Sequence, residues 1–189
     1  MKRMLVFGGA RSGKSGFAER IAQQWSESEK RVIYVATASA SSDPEMQARI
    51  AHHQSQRPAH WTTVEQKLEL GAIIEKYSQP DTVVLIDCLT VWLSNCLFAE
   101  ATEFPEIGII TPPTTFTQQR QALLGALAHA KGDVILVSNE VGMGIVPMGA
   151  ISRWFVDEAG RLNQAVATIC EQAVWVAAGL PLYLKGQTC

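Results

Sequence analysis

The sequence predicts an α/β fold: a mainly parallel sheet with helices on both faces and a closing pair of C-terminal strands. Three observations carry this expectation. Short apolar runs at residues 4–7, 31–36, 82–87 and 134–138 alternate with segments of helical periodicity, the order that parallel crossover units require. These runs are nearly continuous in apolar residues, as strands buried on both faces are. Between the first run and the first helical segment stands Gly8-Gly9-Ala10-Arg11-Ser12-Gly13-Lys14-Ser15, a G-x-x-x-x-G-K-S run between strand and helix.

That run is a phosphate loop, and the fold it announces is the P-loop NTPase fold. Gly8 and Gly13 are expected to take backbone angles closed to other residues, so that successive N–H groups curl into an anion-binding nest. The nest opens onto a helix N-terminus, whose unpaired N–H groups and partial positive charge add to the attraction for phosphate. Lys14 supplies a point charge for the terminal phosphates, and the Ser15 hydroxyl is placed to ligate Mg²⁺. The competing reading is a chance glycine turn, and the flanking strand and helix argue against it.

After the loop, residues 15–25 form an amphipathic pattern, with Phe17, Ile21 and Trp25 four apart. Residues 31–36 read as the second buried strand, ending at Thr37. Asp43-Pro44-Glu45 is a helix start, with a capping side chain and proline at the first helical position; the helix runs to about Gln56, where Arg57-Pro58 stops it. Residues 61–65 look extended, and 67–77 return to helical spacing. Residues 82–87 are four apolar residues ending in Asp87, the form of a strand that delivers one carboxylate beside a phosphate loop to hold Mg²⁺ or nucleotide. The alternative role for Asp87 is a cap on the next helix, residues 89–98.

Residues 99–115, with Pro105, Pro112 and Pro113 and no periodicity, read as a long loop: a lid, a subunit contact or a tolerated insertion. A helix at 116–131, a strand at 134–138, a glycine-bearing loop at 139–147 and a long helix at 152–172 follow. Residues 173–178 and 182–185 close the chain around a turn at Gly179-Leu180-Pro181. No repeat, linker or low-complexity tract interrupts the pattern, so residues 1–189 are expected to be one nucleotide-binding catalytic domain.

Composition narrows the partners. At 189 residues and 47% hydrophobic the chain can bury one substantial core. Sixteen basic against eighteen acidic residues leave no basic footprint for nucleic acid and no polybasic cluster for an anionic membrane. The apolar run behind Met1-Lys2-Arg3 stops at the glycine loop, too short for a signal peptide, and no stretch reaches the length of a membrane span. A cytoplasmic protein is expected. Cys88, Cys96, Cys170 and Cys189 lack the paired spacings of zinc or redox sites and read as small core residues or free thiols.

A phosphate loop alone allows a kinase, a switch or a motor. The discriminating tract is Arg49-Ile-Ala-His52-His53-Gln-Ser-Gln-Arg57-Pro58, with Trp61 and Glu65 after it. Adjacent histidines point about 100° apart on a helix, so one at most faces the phosphates. Imidazole can accept a nucleotidyl group covalently or act as a base, although surface histidines on a polar helix end would look the same.

The runs GGARSGKS, ARIAHHQSQRPAHW with Glu65, the strand ending in Asp87, and SNEVGMGIVP followed by AGRLNQ together resemble the bifunctional adenosylcobinamide kinase / adenosylcobinamide-phosphate guanylyltransferase family of cobalamin biosynthesis. The resemblance covers nearly the whole chain except 99–115. It implies two steps: adenosylcobinamide takes a phosphate from ATP or GTP, then GTP guanylylates a histidine and adenosylcobinamide phosphate displaces it to give adenosylcobinamide-GDP. The family pattern R-I-x-x-H-x-x-x-R-P puts the nucleophile at His53. By the same match Gln54, Ser55, Gln56, Arg57, Glu65 and Asp87 contact the guanine nucleotide, as do Val35, Ala36 and Thr37. A homotrimer with sites at subunit boundaries is implied as well. Lys14, Mg²⁺ and Arg57 could neutralise the phosphates, and Glu65 is a plausible acceptor for the guanine N1–H and amino group unless Arg57 fixes it structurally.

Two other readings are weighed against this one. A P-loop kinase for another small molecule would transfer phosphate without a nucleotidylated protein. A GTP-dependent switch would bind partners and transfer nothing, but the guanine motif N-K-x-D is absent, Asn139 being followed by Glu140.

Overall fold

The computed structural model describes residues 1–27, 29–38, 58–100 and 103–186. β1 (Arg3–Gly8) enters the core at once, with Met4, Leu5 and Val6 almost wholly buried. The loop turns it into α1 (Lys14–Ser26), which buries Phe17, Ala18, Ile21, Ala22 and Trp25 at helical spacing. β2 (Arg31–Ala36) and β3 (Thr62–Glu65) follow, then α2 (Leu70–Tyr77), β4 (Thr82–Asp87) and α3 (Leu89–Leu97). The chain closes with α4 (Thr114–Ala128), β5 (Asp133–Asn139), α5 (Ala150–Ile169), β6 (Gln172–Ala177) and β7 (Leu180–Lys185). The helix expected from Pro44 to Gln56 lies outside the described residues.

The strands form one seven-stranded sheet in the order β3-β2-β4-β5-β1-β6-β7, parallel throughout except for the final β6–β7 pair. Alternate residues of each strand supply two cores. On one face Met4, Val6, Tyr34, Val83 and Leu85 pack with α1; on the other Leu5, Ile33, Val35, Val84, Ile86 and Leu136 pack with α2, α3, α4 and α5. Helices therefore cover both faces, but unequally among the described residues. The cause is the right-handedness of parallel crossovers. The step from β1 to β2 runs toward the β3 edge. The steps β3 to β4, β4 to β5 and β5 to β6 run the other way, so their helices share the opposite face.

Several boundaries differ from the sequence expectation, among them the start of α2 at Leu70 rather than at residue 67. α4 begins at Thr114, where the sequence predicts residue 116, because Pro113 stands at its N-cap and Glu100 accepts hydrogen bonds from both the backbone N–H (3.0 Å) and the hydroxyl (2.7 Å) of Thr115. The last helix spans Ala150–Ile169, and Cys170 is already extended. Beyond it Glu171 is captured by β1: its N–H donates to the Arg3 carbonyl at 3.0 Å and its carboxylate receives the Arg3 guanidinium at 2.5 Å. The final turn is Ala178-Gly179, both residues at positive φ, so that Leu180 and Pro181 already belong to β7. This is the two-residue hairpin geometry that the sheet's twist favours, and proline is tolerated on an edge strand.

Residues 99–100 and 103–113 carry no regular element, and α4 takes up the last two positions of the expected loop; Ile110 is buried, whereas Ile107 and Ile109 are exposed. One carboxylate is buried among the described residues. The Asp133 carboxylate is 2% exposed and receives the Lys30 ammonium at 2.6 Å and the Lys2 backbone N–H at 2.6 Å, so this buried charge is paired.

Candidate active site

Because β1 to β5 all run parallel, their carboxyl ends share one edge of the sheet. On that edge lie the phosphate loop after β1, Thr37 after β2, Glu65 ending β3, Asp87 ending β4 and Asn139 ending β5. With about 4.8 Å between strands, Asp87 is two steps, roughly 10 Å, from the β1 axis and Glu65 four steps, roughly 19 Å. The crossovers that leave β5 and β1 run in opposite directions, a switch point of the kind at which parallel sheets open a ligand crevice. The phosphate loop and the 139–149 loop flank it, tied where the Glu140 N–H donates to the Gly8 carbonyl at 2.9 Å.

The phosphate loop is held from two sides. Gly13, at φ 91°, is the N-cap of α1, and no side chain caps that helix among the described residues, so the first-turn N–H groups face the loop. Arg11 also takes a left-handed angle, φ 55°. The Lys14 ammonium donates to the Gly9 carbonyl at 3.2 Å, bridging the loop. From the other side the β6–β7 hairpin leans on it: the Gly179 N–H donates to the Ser12 carbonyl at 2.8 Å. Gly8 differs from the expectation, for what demands glycine there is space rather than a positive φ. A Cβ would stand 2.2 Å from the Val176 carbonyl oxygen, a backbone atom with nowhere to go. Gly8→Ala is expected to destabilise the fold by about 3 kcal/mol and to weaken nucleotide binding, measured by urea unfolding and by titration with a fluorescent GTP analogue.

Asp87 is half-buried and lies two residues beyond Leu85, on the sheet face that carries α1 and the start of the phosphate loop. Its Oδ2 accepts a hydrogen bond from the Tyr34 hydroxyl at 3.1 Å. The capping alternative is closed: the N-cap of α3 is Cys88, without a side-chain cap bond. Ser15 sits in the first turn of α1, half-exposed. One carboxylate and one hydroxyl are hard oxygen donors of the kind Mg²⁺ takes when substrate phosphates and water complete its shell. Among the described residues no group of three or more His, Cys, Asp or Glu is placed to hold a metal ion.

Thr37 is 1% exposed, and its hydroxyl is engaged with the chain, donating to the Cys88 carbonyl at 2.9 Å and accepting the Cys88 N–H at 2.8 Å. Val35 is wholly buried under the helices of the other face, so its backbone alone can meet a ligand, and Ala36 spends its carbonyl on the Gln66 N–H at 3.0 Å. Glu65 is exposed and lines, with Ala38, Gln66 and Gln119, a groove of about 390 Å³ at the β3 end of the edge. His52, His53, Gln54, Ser55, Gln56 and Arg57 lie outside the described residues.

Three parts of this arrangement had no motif of their own. Tyr34 reads in sequence only as a strand residue, although its spacing of two from Ala36 puts it on the face of Asp87. The Ala178-Gly179 turn lies far along the chain from the loop it touches. Thr90 receives the Asn139 N–H at 2.8 Å, and Asn163 donates to the Asn139 carbonyl at 3.3 Å, which places the SNE and RLNQ runs against each other beside the crevice.

Cys88 adjoins this site but is no nucleophile. Burial, and then the Asp87 charge, push its thiol up to about 11; burial takes Cys96 to about 12 and Cys170 likewise. Iodoacetamide at pH 7.5 is expected to leave all three unmodified in the native protein and to alkylate them after denaturation, as peptide mass mapping would read.

The model of the family described as "Cobinamide kinase / cobinamide phosphate guanyltransferase" matches residues 4–184. The chain belongs to that family. It is 46% identical, over 98% of both chains, to the bifunctional adenosylcobalamin biosynthesis protein CobP of Pseudomonas aeruginosa. It is 39% identical to the proteins named CobU from Escherichia coli and Salmonella typhimurium, over 96% of this chain and 99% of theirs. As a member of the cobinamide kinase / cobinamide phosphate guanyltransferase family it is a bifunctional kinase and guanylyltransferase of adenosylcobalamin biosynthesis. The sheet with its phosphate loop is the P-loop type expected.

Proposed function

We propose that both reactions use the strand-end edge described above, with Mg²⁺ as the metal and ATP or GTP as the nucleotide, within a single catalytic domain spanning residues 1–189. The observation that carries this reading is the alignment of the phosphate loop and Asp87 on one edge and one face of the sheet. Mg²⁺ held by Ser15 and Asp87 would neutralise phosphate charge. In the first step the cobinamide hydroxyl attacks the γ-phosphorus, the nucleoside diphosphate leaves, and the hydroxyl proton is released; Lys14 and the loop N–H groups gather the charge on the phosphates. In the second step a nitrogen of His53 attacks the α-phosphorus of GTP and pyrophosphate leaves. A phosphate oxygen of cobinamide phosphate then displaces the imidazole, giving the cobinamide-GDP.

The edge also supports a direction for the nucleotide: phosphates at β1, base toward the groove at β3, where Glu65 accepts the guanine N1–H and amino group. Arg57 adds positive charge, and the backbone of Val35, Ala36 and Thr37 lies along the way. No helix of the described residues is long and apolar enough to cross a membrane. Work in the cytoplasm, without a nucleic-acid partner, is part of the proposal. A homotrimer is part of the proposal. Ile107, Ile109, Ile145 and Met148, all more than four-fifths exposed on two loops joined by the Ala150 N–H to the Glu106 carbonyl, give apolar surface for a subunit contact.

The test is product analysis. Purified protein with adenosylcobinamide, Mg²⁺ and γ-labelled ATP is expected to yield labelled adenosylcobinamide phosphate, and with added GTP one equivalent each of adenosylcobinamide-GDP and pyrophosphate. Turnover should stop in EDTA. Phosphate transfer with no GDP product would leave a kinase alone.

A further inference from the structure

The end of β2 closes over the Asp87-Cys88 junction through two side chains. Tyr34 is 2% exposed, on the same sheet face as Asp87, and its hydroxyl donates to Asp87 Oδ2 at 3.1 Å across 53 residues of sequence. Thr37 is 1% exposed and holds the next peptide from both ends, its hydroxyl donating to the Cys88 carbonyl at 2.9 Å and accepting the Cys88 N–H at 2.8 Å. The Thr37 N–H adds a bond to the Asp87 carbonyl at 3.2 Å, and the Asn95 amide donates to the Thr37 carbonyl at 2.9 Å, tying the clasp to α3.

We propose that Tyr34 and Thr37 are positioning residues that aim the Asp87 carboxylate at the metal–nucleotide complex, Tyr34 by holding Oδ2 and Thr37 by fixing the Asp87-Cys88 backbone. This rests on the reading of Asp87 as a metal or nucleotide ligand. The physical argument is one of freedom removed. A strand-end carboxylate has several rotamers and a mobile peptide behind it, and only one arrangement presents Oδ1 toward the loop. A phenol on Oδ2 occupies that oxygen and leaves Oδ1 as the one to take a ligand. The Thr37 hydroxyl has a single proton and spends it on Cys88, so its part in the site is to hold the chain rather than to donate to phosphate. Partners behind a ligating carboxylate commonly change metal affinity by 10- to 100-fold when removed.

The experiment measures affinity for a fluorescent, non-hydrolysable GTP analogue in EDTA and across a Mg²⁺ titration, for the wild type and for Tyr34→Phe, Thr37→Val, Thr37→Ser and Asp87→Asn. Binding in EDTA reports the loop, and the ratio with and without Mg²⁺ reports the metal. Tyr34→Phe is expected to keep the EDTA affinity, and both Tyr34→Phe and Thr37→Val to need about 10-fold more Mg²⁺ for half-saturation. Thr37→Ser, which keeps the hydroxyl, should behave as wild type, and Asp87→Asn should lose most of the Mg²⁺ enhancement. A full Mg²⁺ response in Tyr34→Phe and Thr37→Val, with Asp87→Asn deficient, would overturn the positioning role. A full response in Asp87→Asn would instead overturn the reading of Asp87 beneath it. Should Thr37→Val fail to fold, Tyr34→Phe alone still decides, since it removes one oxygen and leaves the buried ring.

Discussion

His53→Ala is expected to abolish the acid-labile, alkali-stable label that α-labelled GTP leaves on the protein with Mg²⁺, while His52→Ala keeps it. Denaturing electrophoresis followed by acid and alkali treatment reads the outcome. The lability is that of a P–N bond: protonation of the imidazole nitrogen makes it a leaving group, whereas alkali does not. Removing the nucleophile of a two-displacement transfer should lower guanylyl transfer by about 10³-fold or more. Phosphorylation of cobinamide should remain measurable, because that step needs no covalent nucleotide. The two single variants separate the histidines. A label that survives in His53→Ala, or no label on a folded protein that binds GTP, would rule out this intermediate.

Lys14→Met is expected to reduce both activities together, by about 10²- to 10³-fold in kcat, with little change in thermal stability. The ammonium is the one positive side chain anchored across the phosphate loop, by its bond to the Gly9 carbonyl at 3.2 Å among the described residues. Methionine keeps the length of the stem and loses the charge, so the nest of N–H groups must gather the phosphates alone. Steady-state assays of each reaction beside a melting curve test this. Loss of one activity alone would show that the two reactions do not share the loop. Lys14→Arg should not restore activity, because a planar fork cannot occupy the place of a compact point charge.

Much of this molecule was legible locally. The strand over Thr82–Asp87 and the helix over Lys14–Ser26 lie where apolar runs and four-residue spacing put them. Misjudged ends had long-range causes. The last helix stops at Ile169 because Arg3 binds Glu171, and that ion pair spans 168 residues. The hairpin turn sits at Ala178-Gly179 rather than at Gly179-Leu180-Pro181 because Leu180 and Pro181 already pair with β6. Nothing in a window of a dozen residues reports either contact.

What the sequence by itself determined, then, is the phosphate loop with its strand and helix, the carboxylate at the end of β4 and the family they belong to. Each of these is carried by neighbours along the chain, where backbone geometry and side-chain period act directly. Only the tertiary structure decided the strand order that sets the crevice between β1 and β5, and the unequal share of helices on the two faces. It alone put Val176 against Gly8, Gly179 on Ser12, and Tyr34 and Thr37 around Asp87. The physical reason is that these contacts join residues 50 or more apart, through sheet register and crossover handedness that no local preference encodes.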